Sequence, residues 1–317
     1  MQTSLQTVDA LRRSGYTGHR TCESSFHTKG GFAFSFTKPK ANANVIDTDR
    51  RLSLLRMFAK RMKITGLPRD GERGTHMDNN NLVIVTDFDG TLMKEDVGDT
   101  VMKELGILER EETIEVTRKF IGKEIGTMKW IEVAYSFLEG RQAEVDELLE
   151  SVSPRQGAPR FLDFCKERQI PVIILSDGMA YYIEKLTQKF GIEADKIISN
   201  PIRYLSDGEY SLGFQNPNPS CRWCGCCKAD AVRRLKEEGS KVVYIGDGVS
   251  DLYGSSFADW IFARSTLANF LTESGEQFYR FETFDDIMDV FAGDFDAFSA
   301  GTAARMRAKE NTFCRFA

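Results

Sequence analysis

Residues 82–91 read Leu-Val-Ile-Val-Thr-Asp-Phe-Asp-Gly-Thr. The run Leu82-Val83-Ile84-Val85 is apolar and rich in β-branched residues, the pattern of a strand buried on both faces. The strand runs straight into two aspartates. A period of two along extended backbone puts Asp87 and Asp89 on the same side. Carboxylates that close repel each other unless a cation shares them, and a hard divalent ion such as Mg²⁺ suits oxygen donors. Gly90 permits a tight turn directly afterwards.

Outward from this stretch the pattern repeats. Val172–Leu175 and Val242–Ile245 are further buried-strand runs, with shorter candidates at Ile197–Ser199 and Trp260–Phe262. Helical spacings fall between them, over 156–169, 180–190 (closed by Gly191), 228–238 and 250–257. Strands alternating with helices predict an α/β fold with a parallel, Rossmann-like sheet and right-handed crossovers. Residues 202–214 read as a hairpin turning at Asp207-Gly208. From Asp96 to Ser151 only helical periodicity is seen, carried by Val101, Leu105, Leu108, Ile114, Phe120, Trp130, Val133, Phe137 and Leu148. Gly106, Gly122, Gly126 and Gly140 mark breaks, so three or four helices are inserted behind the first strand. The expected divisions are an N-terminal extension over 1–80, a core over 81–95 and 153–292, a helical cap over 96–152, and a tail without period over 293–317.

Each strong strand ends in a polar loop of small residues, and in an open α/β sheet ligands bind at those ends. After Leu175 come Ser176-Asp177-Gly178, whose hydroxyl and backbone N–H groups can hold phosphate oxygens at a helix start. Lys228 opens the helix after a cysteine run and can neutralise a phosphoryl group as a point charge. Gly246-Asp247-Gly248-Val249-Ser250-Asp251 supplies a second acid pair one helical turn apart.

In this order, each at a strand end, the four segments resemble the haloacid dehalogenase-like phosphohydrolase family. The matching pieces are DFDGT (87–91), Ser176, Lys228 and GDGVSD (246–251), and the resemblance covers about 82–290. It implies a Rossmann-like core with an inserted cap, and Mg²⁺-dependent phosphoryl transfer to an aspartate. On that basis Asp87 is the expected nucleophile and Asp89 the general acid/base. Thr91, Ser176, Asp177, Gly178, Lys228 and Asp96 form the expected substrate- and phosphate-binding set. Asp87, Asp89, Asp247 and Asp251 form the expected metal set, with Asp251 as a ligand or its support. A cap placed right after DFDGT matches the phosphoserine-phosphatase-like branch. Asp96 stands where that branch carries a glutamate that meets the substrate amine, which argues against an amino-acid substrate.

The segment Cys221-Arg222-Trp223-Cys224-Gly225-Cys226-Cys227-Lys228 is similar to the methionine-salvage branch of the family, whose substrate is 2-hydroxy-3-keto-5-methylthiopentenyl-1-phosphate. The phosphocholine/phosphoethanolamine phosphatases approach the lysine through comparable cysteines. Four thiols within seven residues also suit Zn²⁺, but only Cys221 and Cys224 have standard spacing, so buried or redox-active thiols are favoured. A disulfide here would move the loop that carries Lys228. Met102, Met128 and Trp130 are candidates to line a thioether-tolerant pocket or to form cap core, and Met179 is a stronger pocket candidate by position.

Composition narrows the function from the other side. The chain has 317 residues and a net charge of −5, split into +7 over residues 1–80 and −12 over 81–317. An acidic main domain argues against nucleic acid as a partner. No apolar run is long enough for a transmembrane helix. All three histidines (His19, His27, His76) precede residue 77, which removes Ser-His-Asp and Cys-His catalysis from the main domain. No G-x₄-G-K-[ST] loop is present, and no second arginine cluster suggests a mutase. A catalytically silent binding member and a phosphotransferase remain open beside the small-molecule phosphatase. Residues 1–46 are acid-poor, with Asp9 and Glu23 as their only acids, like an organellar transit peptide; the alternatives are a disordered tail or a true start at Met77. Residues 50–64 form a basic amphipathic helix candidate. The expected location is cytoplasmic, or plastid or mitochondrial if the leader is genuine. Oligomeric state is open.

Overall fold

The computed structural model describes residues 81–205, 209–219, 221–304 and 314. The leader, the helix candidate at 50–64 and the turn at Asp207-Gly208 lie outside the described residues.

The strands are β1 (Leu82–Thr86), β2 (Val172–Met179), β3 (Lys196–Asn200), β4 (Arg203–Tyr204), β5 (Tyr210–Ser211), β6 (Lys241–Gly246), β7 (Trp260–Ala263) and β8 (Tyr279–Arg280). Six of them make one sheet in the order β3-β2-β1-β6-β7-β8, and every pairing in it is parallel. The apolar runs are continuous because both faces are covered. Leu82, Ile84, Val172, Ile174, Val243 and Ile245 pack into one core. Val83, Val85, Ile173, Leu175, Val242 and Tyr244 pack into the other. Burying each such side chain contributes roughly 1.5–3 kcal/mol. The strand order reverses direction between β1 and β6, and that is where a crevice opens at the carboxyl ends of an open sheet.

The helices are α1 (Val97–Glu104), α2 (Glu111–Ile121), α3 (Thr127–Ala134), α4 (Gln142–Leu149), α5 (Ala158–Glu167), α6 (Ala180–Lys189), α7 (Lys228–Glu237), α8 (Asp251–Ser255), α9 (Ser265–Glu273), α10 (Phe284–Phe291) and α11 (Phe295–Ala300). Apolar residues of α5, α6, α10 and α11 cover the first face. Val232 of α7 and Leu267 and Leu271 of α9 cover the second. Helices α1–α4, with a 3₁₀ turn at Tyr135–Leu138, form the inserted helical layer. The chain leaves and re-enters the core side by side. Met93 bridges to Pro154, the Lys94 N–H donates to the Ser153 carbonyl at 2.9 Å, and the Arg155 N–H donates to the Leu92 carbonyl at 2.9 Å.

Several readings change. Strand β2 does not stop at Leu175 but runs through Ser-Asp-Gly to Met179, with its pairing to β3 shifting register on the way. Ile114 does not belong to the buried face: it is 56% exposed, because α2 turns Thr113 and Val116 inward instead. The residues after Phe262 hold β8 and three helices that periodicity did not resolve. The stretch read as a tail begins with α11, whose Phe298 is fully buried against Trp260, Phe262, Tyr279 and Phe291. That cluster draws rings from four separate elements, so no window of sequence displays it. The hairpin is present but short, pairing Arg203 with Ser211 and Tyr204 with Tyr210.

Candidate active site

The loops after β1 and β6 and the end of β2 converge at the carboxyl edge of the sheet. Their centre is Lys228, the first residue of α7, which is 2% exposed. Its Nζ donates to Asp87 Oδ1 at 2.7 Å and to Asp251 Oδ1 at 2.6 Å. Burial would lower this lysine's affinity for its proton, but the two carboxylates outweigh that and hold it well above the usual lysine range. Asp251 is fully engaged. Tyr244 OH donates to its Oδ1 at 2.8 Å, and the N–H groups of Asp247 and Gly248 donate to its Oδ2 at 3.0 and 2.9 Å. With both oxygens committed, Asp251 serves as a support for Lys228 and for the 246–251 loop. Asp87 is buried, and burial together with Asp251 pushes its carboxyl well above the usual range despite Lys228.

Asp89 faces a different set of partners. Its Oδ2 accepts from Ser176 Oγ at 3.1 Å and from Tyr182 OH at 2.9 Å. Burial, reinforced by Asp96, raises its pKa to about 7. Its Oδ1 is buried and has no hydrogen-bond partner. Two carboxyls on one five-residue loop therefore differ in their partners: Asp87 is held against the Lys228 ammonium, and Asp89 against two hydroxyls. Gly90 makes the loop possible. Its φ is +71°, and a Cβ there would sit 2.9 Å from Asp247 Oδ2.

The donor set suits a divalent cation. Asp87, Asp247 and Asp251 each bring a carboxylate oxygen within 4.8 Å of the others. Asp251 is already saturated, so Asp87 and Asp247 offer the available oxygens. The carboxyl of Asp89 is not part of this cluster; Ser176 and Tyr182 hold it. Burial first, then Asp251 and Asp96, push Asp247 to about 7. A buried, mutually repelling, all-oxygen cluster is the chemistry that a hard cation relieves.

This carries a testable cost. Between pH of about 4 and 7 the native metal-free protein binds more protons at Asp247 than the unfolded chain does, so its stability falls across that window. Asp247→Asn removes the penalty and retains an acceptor for Thr91. It should stabilise the metal-free protein at pH 8 by roughly 2–4 kcal/mol, with the gain fading toward pH 5. Thermal melts of both proteins in EDTA at the two pH values check this; a variant no more stable at pH 8 would refute it.

Other expected binders have structural duties. The Thr91 hydroxyl donates to Asp247 Oδ1 at 3.1 Å, so it orients that acid. Asp177 Oδ1 accepts from the Cys226 N–H at 2.7 Å and from Asn200 Nδ2 at 3.1 Å, and the Thr127 hydroxyl also bonds to this carboxyl. The Asp177 carboxyl is thus the knot between β2, β3, the cysteine loop and α3. Asp96 N-caps α1, accepting from the Asp99 N–H at 2.8 Å, and burial raises its pKa. Ser176 and Gly178 remain at the site: the Gly178 N–H donates to Ser176 Oγ at 2.9 Å, and a Cβ on Gly178 would meet Asp89 Oδ2 at 2.5 Å. Met102 and Met179 are fully buried in the core, which removes both as pocket residues. Trp130 donates to Thr117 Oγ1 at 2.9 Å and packs on the core of the inserted layer.

Cys221, Cys224, Cys226 and Cys227 are free thiols. Burial pushes Cys224, Cys226 and Cys227 upward, so they are protonated and poorly nucleophilic. The segment docks the inserted helices instead. The Met128 N–H donates to the Trp223 carbonyl at 3.1 Å, and the Gly225 N–H donates to Thr127 Oγ1 at 3.0 Å. The approach is so close that a Cβ on Gly126 would lie 1.9 Å from the Trp223 oxygen.

Two arginines, Arg155 buried and Arg264 half-buried, escaped sequence reading. Arg155 donates to the carbonyls of Thr91, Gly90 and Lys94 at 2.9, 2.6 and 3.1 Å. Arg264 donates to the Gly90 carbonyl at 3.1 Å and lies 3.8 Å from Asp247 Oδ2. Together they clamp the loop behind Asp87 and supply positive charge beside the acids. No spacing signals either one. Tyr182 and Tyr244, the hydroxyl donors to Asp89 and Asp251, look like ordinary core aromatics in sequence.

This arrangement of sheet, loops and acids has known counterparts. Residues 84–254 match the haloacid dehalogenase-like hydrolase family, and the chain belongs to it. It is 29% identical over 215 residues to a 2-hydroxy-3-keto-5-methylthiopentenyl-1-phosphate phosphatase of Bacillus pumilus, covering 66% of this chain and 90% of that protein. It is 31% identical over 221 residues to the protein of that name from Geobacillus kaustophilus, covering 66% and 94%. In structure it is similar to a phosphoserine phosphatase solved as a phospho-aspartyl intermediate analogue, with a TM-score of 0.50 and 21% identity, over 66% of this chain and 97% of that one. That likeness shows a shared fold.

Proposed function

We propose that the protein is a Mg²⁺-dependent phosphomonoesterase that acts on a small phosphorylated metabolite through an aspartyl-phosphate. The observation that carries this reading is the geometry of one loop: Asp87 Oδ1 accepts from Lys228 Nζ at 2.7 Å, and two residues on Asp89 Oδ2 is held by the Ser176 and Tyr182 hydroxyls. Asp87 attacks phosphorus in line while the P–O bond to the leaving alcohol breaks. Asp89 gives its proton to that alcohol oxygen, then takes one from the water that attacks the acyl phosphate. Lys228 offsets charge on the transferring group, and Asp251 keeps Lys228 in place. A Mg²⁺ held by Asp87 and Asp247 would, when bound, reduce the repulsion between the carboxylates and the incoming phosphate. The cap over the carboxyl edge excludes bulk water from the acyl phosphate.

The relatives' printed substrate, 2-hydroxy-3-keto-5-methylthiopentenyl-1-phosphate, is the proposed substrate here as well. The test is phosphate release from a panel holding this ester, phosphocholine, phosphoethanolamine and phosphoserine, with Mg²⁺ and with EDTA. Mg²⁺-dependent free phosphate, greatest for the methylthio ester, is expected. A phosphorylated acceptor in place of free phosphate would make the protein a transferase. No turnover of any ester would leave a binding role.

A further inference from the structure

Residues 212–227 run from β5 to α7 with no helix or strand among the described residues, and long irregular segments in compact domains are commonly functional. Of the four cysteines there, Cys226 is 2% exposed and packs into the second core with Val85, Leu175 and Tyr244. Without it the other three are spaced Cys221-x₂-Cys224-x₂-Cys227, which is two overlapping pairs of standard ligand spacing. The Asn216 side chain curls the loop beside them, its Nδ2 donating to the carbonyls of Cys221 and Cys224 at 3.1 and 2.8 Å. Cys227 closes the loop at the start of α7, where helix amides favour a thiolate.

Tertiary structure adds a fourth thiol from far along the chain. Burial raises the Cys224 thiol most, followed by Asp177 and then by Cys227, Cys221 and Cys314. Burial also leads for Cys227, whose thiol neighbours are Cys314 and Cys221. Repulsion of this kind fades over about 10 Å, so the four sulfurs share one site. Cys221 is buried there and the other three are half-buried. The set is the soft counterpart of the carboxylates at Asp87 and Asp247. Thiolates select zinc or iron–sulfur chemistry, whereas carboxylates suit Mg²⁺. Each thiol would give its proton to solvent as its sulfur bonds to the metal, which relieves the repulsion.

We propose that Cys221, Cys224, Cys227 and Cys314 form a second metal centre, a four-thiolate site for zinc or an iron–sulfur cluster, separate from the carboxylate cluster. It staples residue 314 to the loop that ends at Lys228 and takes no part in phosphoryl transfer. Among the described residues no three of these sulfurs lie within 4.8 Å of one another. A single zinc, whose tetrahedral thiolates stand about 3.8 Å apart, would draw the loop inward, while a four-iron cluster would sit between thiolates set wider apart.

The test is the metal and acid-labile sulfide content of the untagged full chain, purified without oxygen or chelator. Wild type and Cys226→Ala should hold about one zinc per chain, or about four irons with matching sulfide. Either composition supports the site and names its occupant. Cys314→Ser should lower metal affinity at least about tenfold, since even the outer partners of a metal ligand are worth roughly 10–100-fold. Its side chain is half-buried, so the fold should survive, which circular dichroism checks. Cys314→His restores a ligand and should recover part of the metal, which a merely structural thiol would not do. Asp87→Asn should leave the content unchanged. Full metal in Cys314→Ser, metal lost in Asp87→Asn, or a metal-free wild type whose cysteines titrate as thiols or as a disulfide would overturn the assignment. None of these outcomes depends on phosphatase activity.

Discussion

Asp87→Asn is expected to lower Mg²⁺-dependent phosphate release by at least about 10³-fold, since removing a nucleophile outright costs up to ~10⁶ in comparable enzymes. The amide has no ionised oxygen to attack phosphorus. It can still accept from Lys228, whose second partner Asp251 is untouched, so the fold should survive. The metal-free variant should even gain stability, because burial and Asp251 already penalise a charge at this position. Asp89→Asn should behave differently. It retains the nucleophile and loses the proton carrier, so both steps slow with an alkyl ester; with acetyl phosphate, whose leaving group needs no proton, phosphorylation proceeds and hydrolysis lags. Acid-quenched intact-mass measurement with acetyl phosphate separates the two: a phosphate adduct accumulates in Asp89→Asn and is absent in Asp87→Asn. Residual turnover of Asp87→Asn within tenfold of the wild type would show that another group attacks.

Lys228→Met should cost about 3–5 kcal/mol of stability, the usual result of removing one partner from a buried ion pair. Lys228, Asp87 and Asp251 have side chains 1%, 7% and 0% exposed, so water cannot take over the lost contacts. The loss should also depend on pH. Lys228 is the cation that holds Asp87 down against burial and against Asp251. Without it the folded-state pKa of Asp87 rises further above its unfolded value. The native variant then binds the extra proton, and its stability falls as pH rises through that window. The deficit relative to wild type should therefore widen as pH rises past the point where the wild-type Asp87 ionises. Urea midpoints across a pH series, measured in EDTA, check this. A deficit that stays flat over the whole series would mean that packing, not charge, explains the lysine's burial.

The family resemblance was legible because its residues are local. DFDGT, Ser176 and GDGVSD each stand directly after an apolar run, and backbone geometry alone puts strand-end residues at one edge of a parallel sheet. Continuous Val/Ile/Leu runs announce strands buried on both faces, which is why β1, β2 and β6 were readable and the two-residue β8 was not. Lys228 was a weak signal by itself. Its meaning comes from Asp87, 141 residues away, and Asp251, 23 residues away.

What the chain's own letters determined is the alternation of strands and helices, the inserted helices behind Asp89, and the supply of acids at the strand ends. These follow from propensities and periods that act within a few residues. Tertiary structure decided how each of those acids is used. Asp87 and Asp247 keep oxygens for a cation, Asp251 gives all of its own to Lys228, Tyr244 and two backbone N–H groups, and Asp177 ties β2 to the cysteine loop. It also turned Met102 and Met179 into core and recruited Arg155 to hold the loop behind Asp87. The physical reason is that a carboxylate has only a few lone-pair directions, and a buried one must fill them or find a cation. Which donors stand within 3 Å is settled by packing between elements far apart in the chain, and no local pattern records it.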